Sequence, residues 1–289
     1  MNTFKTAILM ALLTVLLVTV GGALGGQGGA KMMLMISLLM NFVSYWKSDT
    51  IILKAYGAKE ITRTQAPELY GLVEKLAKNA ELPMPKVCII RSEVPNAFAT
   101  GRNPSHAAVC VTTGIMRTLS YDEMGGVLAH ELSHIKHHDT LISMIAASFA
   151  GVISMIGHMA QWAAIFGGMG SRDRDDNGGA AGLIFTIIIA PLAAMLIQLA
   201  ISRSREYEAD KSGGEICGNP LALASALKKL DYHSKHSRIL EGAAPATAHL
   251  FIVNPLSASR KAFTSLFSTH PSTEERVARL EQQARDRIK

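Results

Sequence analysis

The sequence predicts an α-rich integral membrane protein with about four transmembrane helices and a separate α+β hydrophilic part. Apolar residues make up 48% of the 289 residues and charged residues only 18%, a balance that favours the membrane class. Four long apolar runs are candidate spans. Between and after these runs, helical periodicities alternate with short β-branched runs, which predicts the α+β part.

The first predicted transmembrane hairpin covers residues 1–46. Residues 6–24 are uncharged, and no small-residue cleavage site follows them, so we expect an anchor rather than a removed signal peptide. A glycine-rich link leads to residues 30–46, which carry Lys31 and Asn41. This second segment is therefore either a short span or a re-entrant segment.

A second predicted hairpin covers residues 141–201, with spans at 141–166 and 182–201. Nearly all lysines and arginines lie in the two hydrophilic parts, residues 47–140 and 202–289. Because positive loops stay in the cytoplasm, both parts are predicted on the cytoplasmic side of the membrane. The net charge of +6 fits an anionic membrane surface, and no basic run interleaved with aromatics indicates nucleic acid binding.

The hydrophilic part, residues 47–140, is predicted to contain both helices and strands. A helix is predicted from Thr64 to about Asn79, and strands at 87–90 and 107–112. Between the strands, residues 96–101 form either an edge strand able to bind an extended peptide or an ordinary hairpin. Ser120 and Glu123 have the spacing of a capping box, which predicts a helix beginning there.

That helix carries the sequence His130-Glu131-Leu132-Ser133-His134. Two histidines four residues apart project from one face of a helix, so both imidazoles can reach the same metal ion. The glutamate beside the first histidine can then activate a water molecule. The spacing predicts a catalytic zinc site, although a surface helix with two histidines is the simpler alternative.

Two residues compete for the role of third ligand. His137 shares the helical face, but a straight helix cannot easily wrap three turns around one tetrahedral ion. Glu206 and Asp210 are four residues apart on a second predicted helix. Glu206 is the better candidate for the metal, and Asp210 would then hold the imidazole of His130 by a hydrogen bond. Alternatively, the two acids belong to a solvated charge run, as we expect of Glu208.

The C-terminal part, 202–289, is predicted to be helical after Asn219-Pro220 and again after Ser272, with a loop region at 237–265 between them. By position alone, His270 is a surface histidine and Arg276 a solvated helical residue. The three cysteines are odd in number and form no close pair, which favours reduced thiols over disulfides.

These motifs together resemble the HtpX family of bacterial membrane zinc proteases, relatives of the CAAX prenyl-protein proteases. The resemblance covers nearly the whole chain. It rests on Ser44-Tyr45-Trp46 with Ser48-Asp49, on residues 95–104, on His130 to His134, on Arg203 to Asp210 and on Thr269-His270-Pro271.

The resemblance implies a zincin-like cytoplasmic metallopeptidase domain with one Zn²⁺ per chain, in an enzyme of the bacterial inner membrane that cleaves damaged membrane proteins at the cytoplasmic face. In the implied site, His130, His134 and Glu206 bind zinc, Glu131 is the general base, and Asp210 lies behind the ligands. It further implies that His270 stabilises the oxyanion and that Arg276 steadies this region. The implied substrate-binding strand consists of Asn96, Ala97, Phe98, Ala99 and Thr100.

Two other function classes remain open from the sequence. A zinc-dependent membrane chaperone or scaffold would keep the metal ligands without needing Glu131. A transporter is suggested by His158, Gln161 and Pro191 within predicted spans, although helix packing explains these few uncharged residues equally well.

Overall fold

The computed structural model describes residues 2–143, 145, 203–236, 252 and 271–287. The described residues fall into two compact units. One contains Thr3–Tyr45, and the other contains Trp46–Ile142 with the described residues after position 202. Most of the predicted spans 141–166 and 182–201 and most of the predicted loop 237–265 lie outside the described residues.

Among the described residues, no helix combines the length and the apolar character needed to cross a membrane. The number of transmembrane helices therefore stays a prediction.

The first helical segment, α1 (Asn2–Ala55), is broken at Gly25 and Gly26, whose backbone angles are not helical. The Asn41 amide donates a hydrogen bond to the Thr14 hydroxyl over 3.0 Å. A continuous helix would hold these residues about 40 Å apart, so the chain must reverse between them. The predicted glycine link is where this reversal occurs.

The second unit contains a four-stranded sheet in the order β1-β2-β4-β3. The central pair β2 and β4 is parallel, and each outer strand is antiparallel to its neighbour. Both predicted central strands are confirmed, and the predicted edge strand is β3. The strands are β1 (Lys59–Glu60), β2 (Lys86–Ile90), β3 (Ala97–Gly101) and β4 (Ala107–Thr112).

Six helices in the described part of this unit pack against the sheet or against one another. They are α2 (Pro67–Asn79), α3 (Thr113–Thr118), α4 (Tyr121–Lys136), α5 (Arg203–Cys217), α6 (Pro220–His236) and α7 (Thr273–Asp286). The prediction that α2 begins at Thr64 is wrong by three residues. Its first turn starts at Pro67, which suits a proline because the first helical N–H groups need no helical partner, and a turn in which Gln65 N–H bonds to the Thr62 carbonyl precedes it.

The central helix α4 begins as predicted. Ser120 accepts a hydrogen bond from the Glu123 N–H, and the Glu123 carboxylate accepts one from the Ser120 N–H, which completes the capping box. The helix packs against β3, α2, α5 and α6. Because it has neighbours on all these sides, its residues from Glu123 to Ser133 are buried.

Candidate metal centre

Three side chains from α4 and α5 converge, and their ligand atoms lie within 4.8 Å of one another. The Nε2 atoms of His130 and His134 are 3.2 Å apart. The Glu206 carboxylate lies 3.8 Å from Nε2 of His130 and 3.6 Å from Nε2 of His134. The structure thus brings together the three residues that the sequence predicts as metal ligands.

These distances fit a zinc ion. Ligand atoms at about 2.0–2.2 Å from a tetrahedral zinc lie roughly 3.3–3.6 Å from one another, close to the three observed separations. Two imidazoles and one carboxylate also leave the fourth position for water, as in hydrolytic zinc sites. The donor set therefore fits a catalytic zinc better than a structural one.

Gly213 lets α5 approach α4 closely enough for this convergence. A β-carbon at position 213 would lie 2.9 Å from both the N and the Cα atoms of His130. Because these are backbone atoms of a buried helix, they cannot move aside. Glycine at this crossing therefore sets the distance between the histidines on α4 and Glu206 on α5.

The outer nitrogen of His130 faces Asp210. Nδ1 of His130 and Oδ1 of Asp210 are 2.9 Å apart, although the ring N–H misses hydrogen-bond geometry. Arg276 holds the same carboxylate through two hydrogen bonds of 2.7 and 2.8 Å. Although burial alone would raise the pKa of Asp210, the Arg276 guanidinium lowers it to about 2. A buried ionised carboxylate therefore stands behind His130.

Arg276 is not the solvated residue that its position in the sequence suggests. Its exposure is only 2%, and besides Asp210 it donates to the carbonyl of Ile252. The nearby carboxylates outweigh the desolvation of the guanidinium and raise its pKa. Its guanidinium thus joins the Asp210 carboxylate to the Ile252 carbonyl.

The outer nitrogen of His134 faces Asp139, a residue that the sequence interpretation missed. Nδ1 of His134 is 3.1 Å from Oδ2 of Asp139. Burial lowers the pKa of His134, but the hydrogen bond to Asp139 and the nearby carboxylates of Glu206 and Glu131 outweigh this and raise it to about 9. Its closeness in sequence to the histidine motif, five residues after His134, is the one feature that could have suggested it.

Glu131 is buried beside the two histidines, and burial raises the pKa of its carboxyl. Its Oε2 accepts a hydrogen bond of 2.8 Å from the N–H of Ala99 in β3. A carboxylate with a raised pKa, fixed close to the metal ligands, suits a general base.

The predicted substrate strand lies at the sheet edge, next to Glu131. Asn96 immediately precedes β3, and its carbonyl and N–H bond to Thr112 in β4. Because N–H and C=O directions alternate along a strand, those of Ala97, Ala99 and Gly101 point away from β4. Two of these groups are used, since Ala99 donates to Glu131 and the Gly101 carbonyl accepts from Thr140. All five residues of β3 are buried, and the Phe98 ring packs against Tyr56.

The remaining site predictions have mixed outcomes. His137 is not part of the converging group, and its ring contacts the Ser133 hydroxyl at 3.2 Å. Glu208 is exposed, as predicted. His270 lies outside the described residues, so its role stays a prediction.

Comparison with known proteins places the chain in a peptidase family, in agreement with the geometry of the site. Residues 63–284 match the profile of peptidase family M48. The chain is 56% identical over 285 residues to a "Protease HtpX homolog" of Thermodesulfovibrio yellowstonii, covering 99% of both chains. It is 53% identical over 279 residues to another of Desulfatibacillum aliphaticivorans, covering 96% of this chain and 89% of the relative.

The fold resembles that of the crystal structure of S. mikatae Ste24p, with a TM-score of 0.54 and 18% identity. The match covers 96% of this chain and 66% of the Ste24p chain, and at this identity it concerns the fold alone. The family profile, the two relatives and the histidine–glutamate constellation agree, and the chain belongs to peptidase family M48 as a protease of the HtpX type.

Proposed function

We propose that this protein is a zinc-dependent endoprotease of the bacterial inner membrane, which cleaves damaged or misfolded membrane proteins on the cytoplasmic side. The observation that carries the proposal is the convergence of His130, His134 and Glu206 beside a buried Glu131. Membership of a peptidase family supports the hydrolysis of peptide bonds.

In the proposed reaction, a bound zinc ion supplies Lewis-acid activation of a water molecule and of the scissile carbonyl. Glu131 accepts the proton of the attacking water and later passes it to the leaving amine. Burial raises the pKa of this carboxyl, which makes it a stronger base for the first transfer. The carboxylates of Asp210 and Asp139 lie at the Nδ1 atoms of the two imidazoles, which leaves both Nε2 atoms to bind the metal.

We propose that β3 binds the substrate as an added strand. The outward carbonyls of Ala97 and Ala99 and the N–H of Ala97 are the groups that an extended peptide would meet. Since the N–H of Ala99 already holds Glu131, a peptide bound along this edge lies next to the general base. His270 would complete the site as the hydrogen-bond donor to the oxyanion. Arg276 would steady the site through its hydrogen bonds to Asp210.

The exposed side chains of α1 support a lipid bilayer as the surrounding medium. Met35, Leu39 and Phe42 are 74%, 64% and 62% exposed on one stretch of helix. Large apolar side chains clustered at a surface indicate contact with lipid or with another protein. An enzyme in this setting would meet membrane proteins as its substrates.

The test uses the purified full-length protein, with zinc content and cleavage of casein or a membrane protein measured with and without chelator. We expect about one zinc per chain and activity that chelation removes. Glu131→Gln should keep the zinc and lose roughly 10²–10⁴-fold in turnover, the usual contribution of a general base. The matched control is Glu208→Gln, at an exposed glutamate on α5, which should cleave normally.

Wild-type cleavage by Glu131→Gln would contradict the proposed mechanism. Zinc binding without any cleavage by the unsubstituted protein would instead favour the zinc-dependent scaffold.

A further inference from the structure

We propose that Asp139 is the positioning residue for the metal ligand His134, as Asp210 is for His130. The proposal rests on the proposed zinc site and adds a residue to it. Both imidazoles then have a buried carboxylate on the nitrogen that faces away from the ion.

The chain reverses after α4 in a way that aims Asp139 at His134. The helix ends at Lys136, His137 follows as the C-cap, and His138 has a φ of 59°, in the left-handed region. A single left-handed residue turns the chain sharply at a helix end. The turn returns the Asp139 carboxylate to 3.1 Å from Nδ1 of His134, although the two residues are five positions apart.

The burial of Asp139 indicates that the contact is specific. Its exposure is 4%, and a buried carboxylate is strongly unfavourable unless charges or hydrogen bonds compensate it. The imidazole of His134 supplies a hydrogen bond, and the guanidinium of Arg205 lies 3.9 Å from its other oxygen. An arginine on α5 therefore lies near Asp139, although its distance exceeds the 2.7 and 2.8 Å of the hydrogen bonds from Arg276 to Asp210.

His134 needs such a partner more than His130 does. The side chain of His130 is only 1% exposed, so the surrounding core restrains its ring. The side chain of His134 is 16% exposed and has less packing around it. A hydrogen bond from Nδ1–H to Asp139 fixes both the ring rotation and the tautomer, and it leaves the lone pair of Nε2 facing Glu206.

The experiment measures the zinc affinity of the purified full-length protein by competition with a chelator. Asp139→Ala should weaken zinc binding about 10–100-fold, the usual effect of removing an outer partner of a metal-bound histidine. Asp139→Asn keeps an oxygen that accepts the hydrogen bond but loses the charge, so we expect a smaller loss of roughly 3–10-fold. Asp122→Asn, at an exposed aspartate in the first turn of α4, is the matched control and should bind zinc like the wild type.

Thermal unfolding of the metal-free variants separates positioning from general stability. A positioning role lowers zinc affinity while the metal-free proteins unfold at the same temperature as the wild type. Zinc affinity of Asp139→Ala within about two-fold of the wild type would overturn the proposal. If that variant does not fold, Asp139→Asn decides by the same two-fold limit. Failure of the unsubstituted protein to bind zinc would overturn the proposed function and this inference together.

Discussion

Helix α4 packs against α5 on one side and against α6 on the other, and a glycine allows close backbone approach at each contact. On the α5 side, Gly213 lets the backbone of α5 touch that of His130. On the α6 side, Gly126 does the same for α6, because a β-carbon there would lie 2.6 Å from the N atom of Leu223. Both crossings depend on a missing side chain.

The polar groups at the two crossings differ. On the α5 side, His130, His134 and Glu206 converge on a single potential ion site, and Asp210 lies behind His130 at its Nδ1 atom. On the α6 side, the buried Glu123 carboxylate accepts hydrogen bonds from the Ser120 N–H, the Ser225 hydroxyl and the Lys229 ammonium group. Metal affinity should therefore depend on the first side, and the stability of the fold on both.

The largest effect is expected from Gly213→Ala. The added methyl group overlaps backbone atoms of His130, so α5 must move away and take Glu206 and Asp210 with it. We expect zinc affinity to fall by about 100-fold or more, since ligand and outer partner are displaced together. Chelator competition measures this.

The control is Gly125→Ala on α4. A β-carbon there meets only Leu72 at 3.6 Å, an ordinary contact, so zinc affinity should be unchanged. Equal zinc affinity of the two variants would show that the α4–α5 distance does not set the metal site.

Arg276→Met should strongly destabilise the fold. The substitution leaves Asp210 buried without its bidentate partner, and removal of one member of a buried ion pair typically lowers the free energy of unfolding by about 3–5 kcal/mol. Denaturant unfolding of the metal-free protein measures the loss. Arg285→Met, on the exposed face of the same helix, should change it by less than about 0.5 kcal/mol.

Gly126→Ala should affect stability without selectively affecting the metal. Overpacking against the backbone of Leu223 is expected to lower the free energy of unfolding by roughly 2–3 kcal/mol. Zinc affinity of the folded fraction should stay near that of the wild type. A loss of zinc affinity as large as that of Gly213→Ala would remove the distinction between the two sides.

The smallest effect concerns acid stability. Burial would raise the pKa of Glu123, but bonds from Lys229, Ser120 and Ser225 lower it to about 2. Because the folded pKa lies below the usual 4.5, this stabilisation is complete above about pH 4.5 and is lost as the pH falls towards 2. Glu123→Gln should lower the free energy of unfolding by about 1–2 kcal/mol at neutral pH and flatten its decline between pH 4.5 and 2. An unchanged pH profile would contradict this role.

Most of the metal centre was predictable because it follows from helix geometry. The spacing of His130 and His134 places both rings on one face, and the same spacing relates Glu206 to Asp210. The start of α4 was equally predictable, since a capping box is a local signal. The start of α2 was not, because a turn around Thr62 postpones the helix to Pro67.

Two contacts of the site follow from no local sequence pattern, because they are tertiary contacts. Asp139 contacts His134 because His138 adopts a left-handed conformation, and no local sequence pattern indicates that conformation. The ion pair that buries Arg276 joins it to a residue 66 positions away. Residues so far apart in sequence form no periodic pattern, so an arginine within a helix is interpreted as solvated.

A crystal structure of the zinc-loaded protein, with the ion located by its anomalous scattering, tests the metal site most directly. We expect one zinc at about 2.0–2.2 Å from Nε2 of His130, Nε2 of His134 and a carboxylate oxygen of Glu206. A zinc ion bound elsewhere, or one bound by the histidines with Glu206 outside coordination distance, would contradict it.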